Sequence, residues 1–342
     1  MKEKILVIRN DKLGDFVLAL PSFALLKRAL PDATIVALVP EYTRKLASHI
    51  DYIDEIIVDP GKSAGVKGFF SLLQQLRAEK FSAAICLFST SRIAYLLLLA
   101  GIPVRLGPAT KVWQVFFNHR LTQRRSRSIK PEFEYNLDLI RHFLNDKQVS
   151  QDIALKGPYI ELNDIEQADG RNTLAKLKQN ALAKRKIMLH PGHGGSANNL
   201  SIAQYAEFIQ RLMPGEQDMV IVSAGPGELQ IAEQLTLILQ GHGIDAVTYH
   251  STIGLIEFIS VIAAVDLFIS GSTGPLHVAG ALNVKTVGFY PRTAHMSPLR
   301  WQTLNDSERR LAFTPPESAD ETAMQAIDLA NAANQVRQKF LN

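Results

Sequence analysis

The sequence predicts an α/β protein built from two doubly wound parallel-sheet domains of similar size, with a cleft between them. Three observations lead there. The chain has 342 residues, about twice a common domain length. Two series of short apolar runs alternate with segments of helical period, the pattern of parallel sheets joined by crossover helices. Between the two series, residues 150–185 lose that rhythm and turn polar.

The first series is ILVIR at 5–9, TIVALV at 34–39, EIIV at 55–58 and AAICLF at 83–88. Helical stretches separate the runs, among them PSFALLKRAL at 21–30 and Phe69 to Glu79. The second series is KIMLH at 186–190, MVIVS at 219–223, AVTY at 246–249, DLFIS at 266–270 and KTVGFY at 285–290. Its helices are expected at Ala203–Leu212, Leu229–Leu239 and Leu255–Val265. A linker is expected near 156–162, giving domains 1–160 and 161–342, with a helix over Thr173–Asn180 entering the second. The tail after Pro315-Pro316 reads as one amphipathic helix from about Asp320 to Phe340, expected to pack back on the first domain.

Composition narrows the class. A hydrophobic content of 46% with 20% charged residues excludes wholesale disorder. The longest uncharged apolar stretch, Ile93 to Val104, is too short to span a bilayer. The apolar run before Arg9 is only four residues long, too short for a signal peptide. The single cysteine, Cys86, fits a reducing compartment and lies in a strand-like run that would bury it. A cytoplasmic protein is expected.

Net charge is +4, but its distribution matters more. From Ala109 to Pro131 there is no acid, against Lys111, Arg120, Arg124, Arg125, Arg127 and Lys130, and Trp113, Phe116 and Phe117 open the segment. Such a stretch suits an anionic membrane surface or an anionic acceptor, would tolerate nucleic acid, and equally fits a solvated loop beside an aromatic anchor.

In open parallel sheets, ligands bind beyond the carboxyl ends of the strands, so four loops carry the chemistry. The first runs from Arg9 through Lys12 and Gly14 to Asp15. Asp15 is either a helix N-cap or a carboxylate placed to take a proton from a hydroxyl nucleophile. Pro21 either starts or kinks the following helix. The second loop is Ser270-Gly271-Ser272-Thr273-Gly274-Pro275. Pro275 suits a first helical position, and the amides of Gly274, Leu276 and His277 would face an anion. His277 either adds a proton or positive charge there, or is a buried histidine bonded to backbone.

The third loop, His190-Pro191-Gly192-His193-Gly194-Gly195-Ser196, reads as a phosphate- or sugar-facing turn or a plain connection. Gly192, Gly194 and Ala197 match G-x-G-x-x-A, but Asn198-Asn199 and the missing ribose acid argue against a dinucleotide site. The fourth, Ser223 to Glu228, offers Glu228 to a ribose diol or to a helix dipole. No histidine pair, cysteine cluster or D-x-D favours a metal, and no G-x-S-x-G elbow favours a serine hydrolase.

Taken together, IRNDKLGDFVLALP, AGIPVRLGP, HPGHGGSANN, STGPLHVAGALNVKTVGFYP and the following SPLRW resemble glycosyltransferase family 9, the bacterial heptosyltransferases. The likeness spans residues 5 to about 301. It implies a GT-B fold with the acceptor in the first domain and the nucleotide-sugar donor, ADP-heptose in well-known members, in the second. It also implies inversion at the anomeric carbon without a metal or other cofactor. Asp15 matches the family's base, and Ser272, Thr273, Gly274 and His277 fall on the loop that holds the donor diphosphate. His190, Gly192, Asn198 and Glu228 are weaker donor-side candidates; Lys12, Arg120, Arg124 and Arg125 are weaker acceptor-side ones. The implied partners are a nucleotide sugar and an anionic envelope glycan or glycolipid such as lipopolysaccharide core. Contact with the cytoplasmic face of the inner membrane is implied too, and no nucleic acid.

Two departures keep alternatives open. Ser272 stands where the family often has an acid, and Asn198-Asn199-Leu200-Ser201 stands where a lysine and Trp-Pro are common. A different donor sugar, or a nucleotide-sugar-binding partner without turnover, fits those changes. A nucleotide-sugar epimerase or an NAD-dependent oxidoreductase fits the residues less well.

Overall fold

A computed structural model describes residues 3–178, 184–192 and 198–341. The chain divides into two units between Lys156 and Gly157, four residues before the expected boundary at 160. Tyr159 and Ile160 already belong to the second unit, their amides donating to the Ala281 carbonyl at 2.8 and 3.2 Å.

In the first unit, β1 (Lys4–Ile8) leads through α1 (Leu13–Val17) and α2 (Leu20–Ala29) to β2 (Thr34–Pro40). Then come α3 (Glu41–Ala47), β3 (Glu55–Asp59), α4 (Gly65–Ala78) and β4 (Ala83–Cys86). The unit closes with α5 (Ser91–Leu99), β5 (Val104–Pro108), β6 (His119–Leu121) and α6 (Glu132–Asp146). Its strands are all parallel, in the order β3-β2-β1-β4-β5-β6.

The second unit runs from α7 (Asp164–Leu177) and β7 (Arg185–His190) through α8 (Ile202–Leu212) to β8 (Asp218–Ala224). It continues with α9 (Leu229–Gly241), β9 (Ala246–His250), α10 (Leu255–Ala263) and β10 (Leu267–Gly271). Last come α11 (Gly274–Ala281), β11 (Lys285–Phe289), β12 (Arg310–Phe313) and α12 (Leu329–Val336). The strand order is β12-β11-β10-β7-β8-β9, again all parallel. Counted from its own first strand, the second sheet repeats the order of the first. Each sheet therefore reverses direction beside its first strand, between β1 and β4 and between β7 and β10. That switch point is where the crossover loops part and a ligand can enter.

Every apolar run read from the sequence is a strand. Leu6, Ile8, Val36, Leu38 and Ala84 pack beneath Leu72, Leu76, Leu96 and Leu97 of α4 and α5. Ile187, Leu189, Val220, Val222, Ile269 and Val287 do the same beneath α8, α9 and α12. Cys86 is fully buried, donates to the Phe88 carbonyl at 3.0 Å, and burial pushes its thiol up to about 12.

Three strands were not expected. β5 was read as part of a turn, because Arg105, Gly107 and Pro108 break its apolar run; β6 and β12 are short and carry arginines. Gly107 is needed here, since a Cβ would lie 2.6 Å from the Phe117 ring that seals this edge. The tail is also corrected. It is not one helix: a 3-10 turn at Met324–Ala326 precedes α12, and the chain ends in a π-turn at Arg337–Leu341. Met324, Leu329, Ala333, Val336 and Phe340 join the core of the second unit.

The entering helix α7 starts at Asp164 rather than Thr173 and ends at Leu177; Asn180 lies outside the described residues. Asn163 and Glu166 form a reciprocal capping box at its start. It packs so closely on α10 that a Cβ on Gly170 would sit 2.0 Å from the Ser260 carbonyl oxygen. Backbone cannot yield cheaply there. Gly170→Ala should lower stability by about 1–3 kcal/mol through overpacking, read as a lower urea midpoint; an unchanged midpoint would show that the helices do not pack this closely.

Candidate functional site

The loop leaving β1 is organised around one buried cation. Arg9 is 2% exposed, and all five of its N–H groups are used. Nε and Nη2 grip Asp11 bidentately at 2.9 Å each. Nη2 also donates to Asp15 Oδ1 at 2.5 Å. Nη1 donates to Glu132 Oε1 and Asn136 Oδ1 of α6, each at 3.0 Å. Burial alone would lower the pKa of Arg9, but Asp11, Asp15 and Glu132 outweigh it and hold the guanidinium firmly charged.

Asp15 is not an N-cap. It occupies the third position of α1, whose N-cap is the exposed Lys12, and its carboxylate turns back to Arg9. Oδ2 accepts no hydrogen bond from the described residues. Pro21 falls in the first turn of α2, so it starts the main helix after the break at Leu18 and Ala19. Asp11 was missed by sequence reasoning. Burial, opposed by Arg9 and helped by the nearby Asp15, leaves its carboxyl raised to about 6. A second polar knot lies alongside: Asn10 donates to Asp59, which also accepts from Arg92 Nη1 at 2.8 Å and the Gly61 amide at 2.9 Å.

The basic segment splits. Arg120, Arg124 and Arg127 are exposed, as expected for cations facing a ligand or solvent. Arg125 is not: it turns inward, donates to Glu132 Oε1 at 2.9 Å and Gln123 Oε1 at 3.0 Å, and lies over the Tyr135 ring. Its charge offsets Glu132, so its expected role as a ligand-facing cation is replaced by support of the Arg9 cluster. Its partners are near in sequence, but a run of cations carries no signal that one of them turns inward.

In the second unit, the loops after β7, β8 and β10 converge. His190, at the end of β7, is buried with Nδ1 3.0 Å from Ser223 Oγ and Nε2 3.7 Å from Glu228 Oε2. Burial lowers its pKa to about 4 despite Glu228, so the ring is neutral at neutral pH. Glu228 also accepts the Gly225 amide at 3.1 Å. Gly192 lies against it so tightly that a Cβ there would be 2.0 Å from the carboxylate. The structure therefore brings together His190 and Gly192 of one loop and Glu228 of another.

Thr273 is the N-cap of α11, and its hydroxyl is 3.0 Å from Ser270 Oγ, which donates to the His190 carbonyl at 2.8 Å. Ser272, Thr273 and Gly274 thus border the His190 loop. Pro275 is the second helical residue, not the first, because Gly274 already has helical geometry. Two expectations for His277 are corrected. Its amide donates to the Thr273 carbonyl at 3.3 Å inside the helix, leaving only Gly274 and Leu276 as outward donors of the expected three. Its ring is buried beside Trp301, and desolvation lowers its pKa to about 4, so it brings no positive charge in this state.

Asn198 is exposed, whereas the neighbouring Asn199 does the structural work. Asn199 bonds the Pro191 carbonyl at 2.8 Å, accepts from the Leu200 amide at 3.0 Å and from Tyr205, and lies against Gly271. Residues 193–197, with the expected Gly194 and Ala197 turn, lie outside the described residues. Among the described residues no group of three or more His, Cys, Asp or Glu is placed to hold a metal.

The two neutral histidines set a pH dependence. A group whose folded pKa, about 4, lies below its ordinary 6.5 takes up a proton more readily when unfolded. Stability is therefore lost as pH falls from 6.5 toward 4, with Asp11 opposing in the lower part of that range. His277→Gln should flatten the fall of the urea midpoint over this window; a slope equal to wild type would contradict a buried neutral His277.

Comparisons with known proteins place the family and the fold. A family model described as glycosyltransferase family 9 (heptosyltransferase) matches residues 69–328. A Haemophilus influenzae protein named "Putative glycosyltransferase" is 42% identical over 338 residues, 98% of this chain and 96% of its own. Lipopolysaccharide heptosyltransferase 3 of Escherichia coli is 23% identical over 300 residues, covering 84% of this chain and 83% of that protein. The solved structure of E. coli ADP-heptose lps heptosyltransferase II shares the fold, with a TM-score of 0.76 at 20% identity over 100% of this chain and 99% of that one.

Proposed function

The chain belongs to glycosyltransferase family 9 and is a glycosyltransferase, and on that premise we propose that it moves a heptose from ADP-heptose to an anionic envelope acceptor of the lipopolysaccharide-core type, with inversion. The single observation that carries the chemistry is Asp15: one carboxylate oxygen is fixed by a buried arginine, and the other is uncommitted at the switch point of the first sheet.

The proposed reaction is one displacement. Asp15 Oδ2 takes the proton from the acceptor hydroxyl as that oxygen bonds to C1 of the donor sugar. The C1–oxygen bond to the diphosphate breaks, and the nucleoside diphosphate leaves with the electron pair. Charge building on the leaving group is met by the amides of Gly274 and Leu276 and by the positive end of α11. Thr273 shapes that helix start, and neutral His277 supports it from behind. His190, Gly192 and Glu228 form the neighbouring donor-side wall. Lys12, Arg120 and Arg124 draw an acidic acceptor, an attraction that weakens with salt. Such an acceptor places the enzyme at the cytoplasmic face of the inner membrane.

The test is calorimetric titration of a panel of nucleotides and nucleotide sugars, without added metal, into wild type and Asp15→Asn, followed by turnover. The variant should bind ADP-heptose as tightly as wild type while losing about 10²–10⁴-fold in kcat. Preference for another nucleotide sugar would replace the donor. Binding without turnover in wild type would favour a nucleotide-sugar-binding partner, and binding to none would overturn the proposal.

A further inference from the structure

Twelve of the chain's 37 lysines and arginines, but only one of its 33 acids (Glu79), lie between Pro60 and Pro131. The rest of the chain is net acidic. Several of these cations have internal duties: Arg92 pairs with Asp59, Arg125 with Glu132 and Lys130 with Asp138, while Arg77 and Arg105 bond backbone carbonyls. Lys62, Lys67, Lys111, Arg120, Arg124 and Arg127 are exposed and have no acidic partner among the described residues.

The same stretch exposes apolar side chains that a solvated surface would not gather. Val66 and Phe70 lie one turn apart on α4, and Tyr95 and Leu98 one turn apart on α5. Val112 and Val115 sit on a 3-10 turn at Val112–Phe116, whose period of three places them along one edge; they are 85% and 67% exposed. These elements are joined by a run of rings: Phe70 on Phe69 at 5.7 Å, Phe69 on Tyr95 at 6.4 Å, Tyr95 on Phe116 at 5.7 Å. Trp113 anchors the turn through Nε1 to Ser89 Oγ at 2.6 Å, with Lys111 over its ring. Phe88, next to Ser89, lies 5.8 Å from the Arg9 guanidinium, so this surface reaches the first-unit site.

We propose that the face formed by α4, α5 and the 112–116 turn docks on an anionic bilayer, with Val66, Phe70, Val112 and Val115 entering the headgroup region. Unpaired cations around exposed apolar and aromatic residues match an interfacial membrane contact, in which each kind of attraction is weak alone. Among the described residues no helix is long and apolar enough to cross a membrane, so the contact is a surface one. It would bring the Asp15 loop to an acceptor embedded in lipid. The inference extends the acceptor reading above, but its test contains no sugar, so either can fail alone.

The test is co-sedimentation of the full chain with vesicles of phosphatidylglycerol and phosphatidylethanolamine, against vesicles of phosphatidylcholine. Wild type should bind the anionic vesicles and not the neutral ones, and lose binding as salt rises. The double variant Val112→Asp/Val115→Asp should bind at least about tenfold more weakly with an unchanged melting temperature. Lys62→Gln/Lys67→Gln, with the apolar residues intact, should weaken binding and reduce its salt dependence. Equal binding to both vesicle types, or full binding by the aspartate variant, would overturn the proposal. So would a wild-type dimer that the aspartate variant dissociates while vesicle binding is absent; the face would then join two copies of the chain.

Discussion

The first unit depends on a guanidinium that cannot reach water. Arg9 extends the central strand β1 into the switch point, where every donor it carries must find a protein acceptor or cost the fold dearly. Five hydrogen bonds to Asp11, Asp15, Glu132 and Asn136 meet that demand. They tie the loop leaving β1 to α6, more than a hundred residues away in sequence. Removing one partner of such a buried pair typically costs about 3–5 kcal/mol, because the remaining charge is stranded. The carboxylate of Asp15 is thus held by the same requirement that holds the unit together.

Among the described residues, the second unit solves the same topological problem without a buried cation at its switch point. His190 and His277 are neutral, and Ser223, Ser270 and Thr273 close the space with hydroxyl contacts. What remains for a ligand is backbone: the outward amides at the start of α11 and the small residues that let a ligand approach. A charge-organised loop in one unit and an amide-lined loop in the other suit different tasks, proton removal and accommodation of a leaving diphosphate. That division supports the proposed transfer more strongly than either loop does alone.

Much of this was legible in the sequence, for physical reasons. A parallel strand buried on both faces must be apolar throughout, so β1 to β4 and β7 to β11 stand out. β6 and β12 lie at sheet edges and need not be, and β5, inside its sheet, is interrupted by Arg105, Gly107 and Pro108; these three were missed. Asp15 was visible because a Gly-Asp step follows a strand. Its fixing by Arg9, and the inward turn of Arg125, were not visible, because both follow from burial around Glu132, which lies far from Arg9 in sequence though only seven residues from Arg125. The small-residue turn announced the α11 start, yet local pattern could not say that His277 points into the core. Nor could it say that Asn199, not Asn198, braces the Pro191 loop. Burial of polar groups is decided by tertiary neighbours, and that is where local reading stopped.

On the proposed mechanism, Arg9 has a positioning role exerted through Asp15. It is tested most directly by the turnover of Arg9→Lys, Asp15→Asn and the double variant, measured with the donor that binds, in protein shown by melting to be folded. A lysine keeps the charge but lacks the guanidinium fork, so Arg9→Lys alone should slow transfer. If Arg9 works through Asp15, the double variant will be no slower than Asp15→Asn. Two losses that multiply would mean that Arg9 contributes independently, and the account would be wrong.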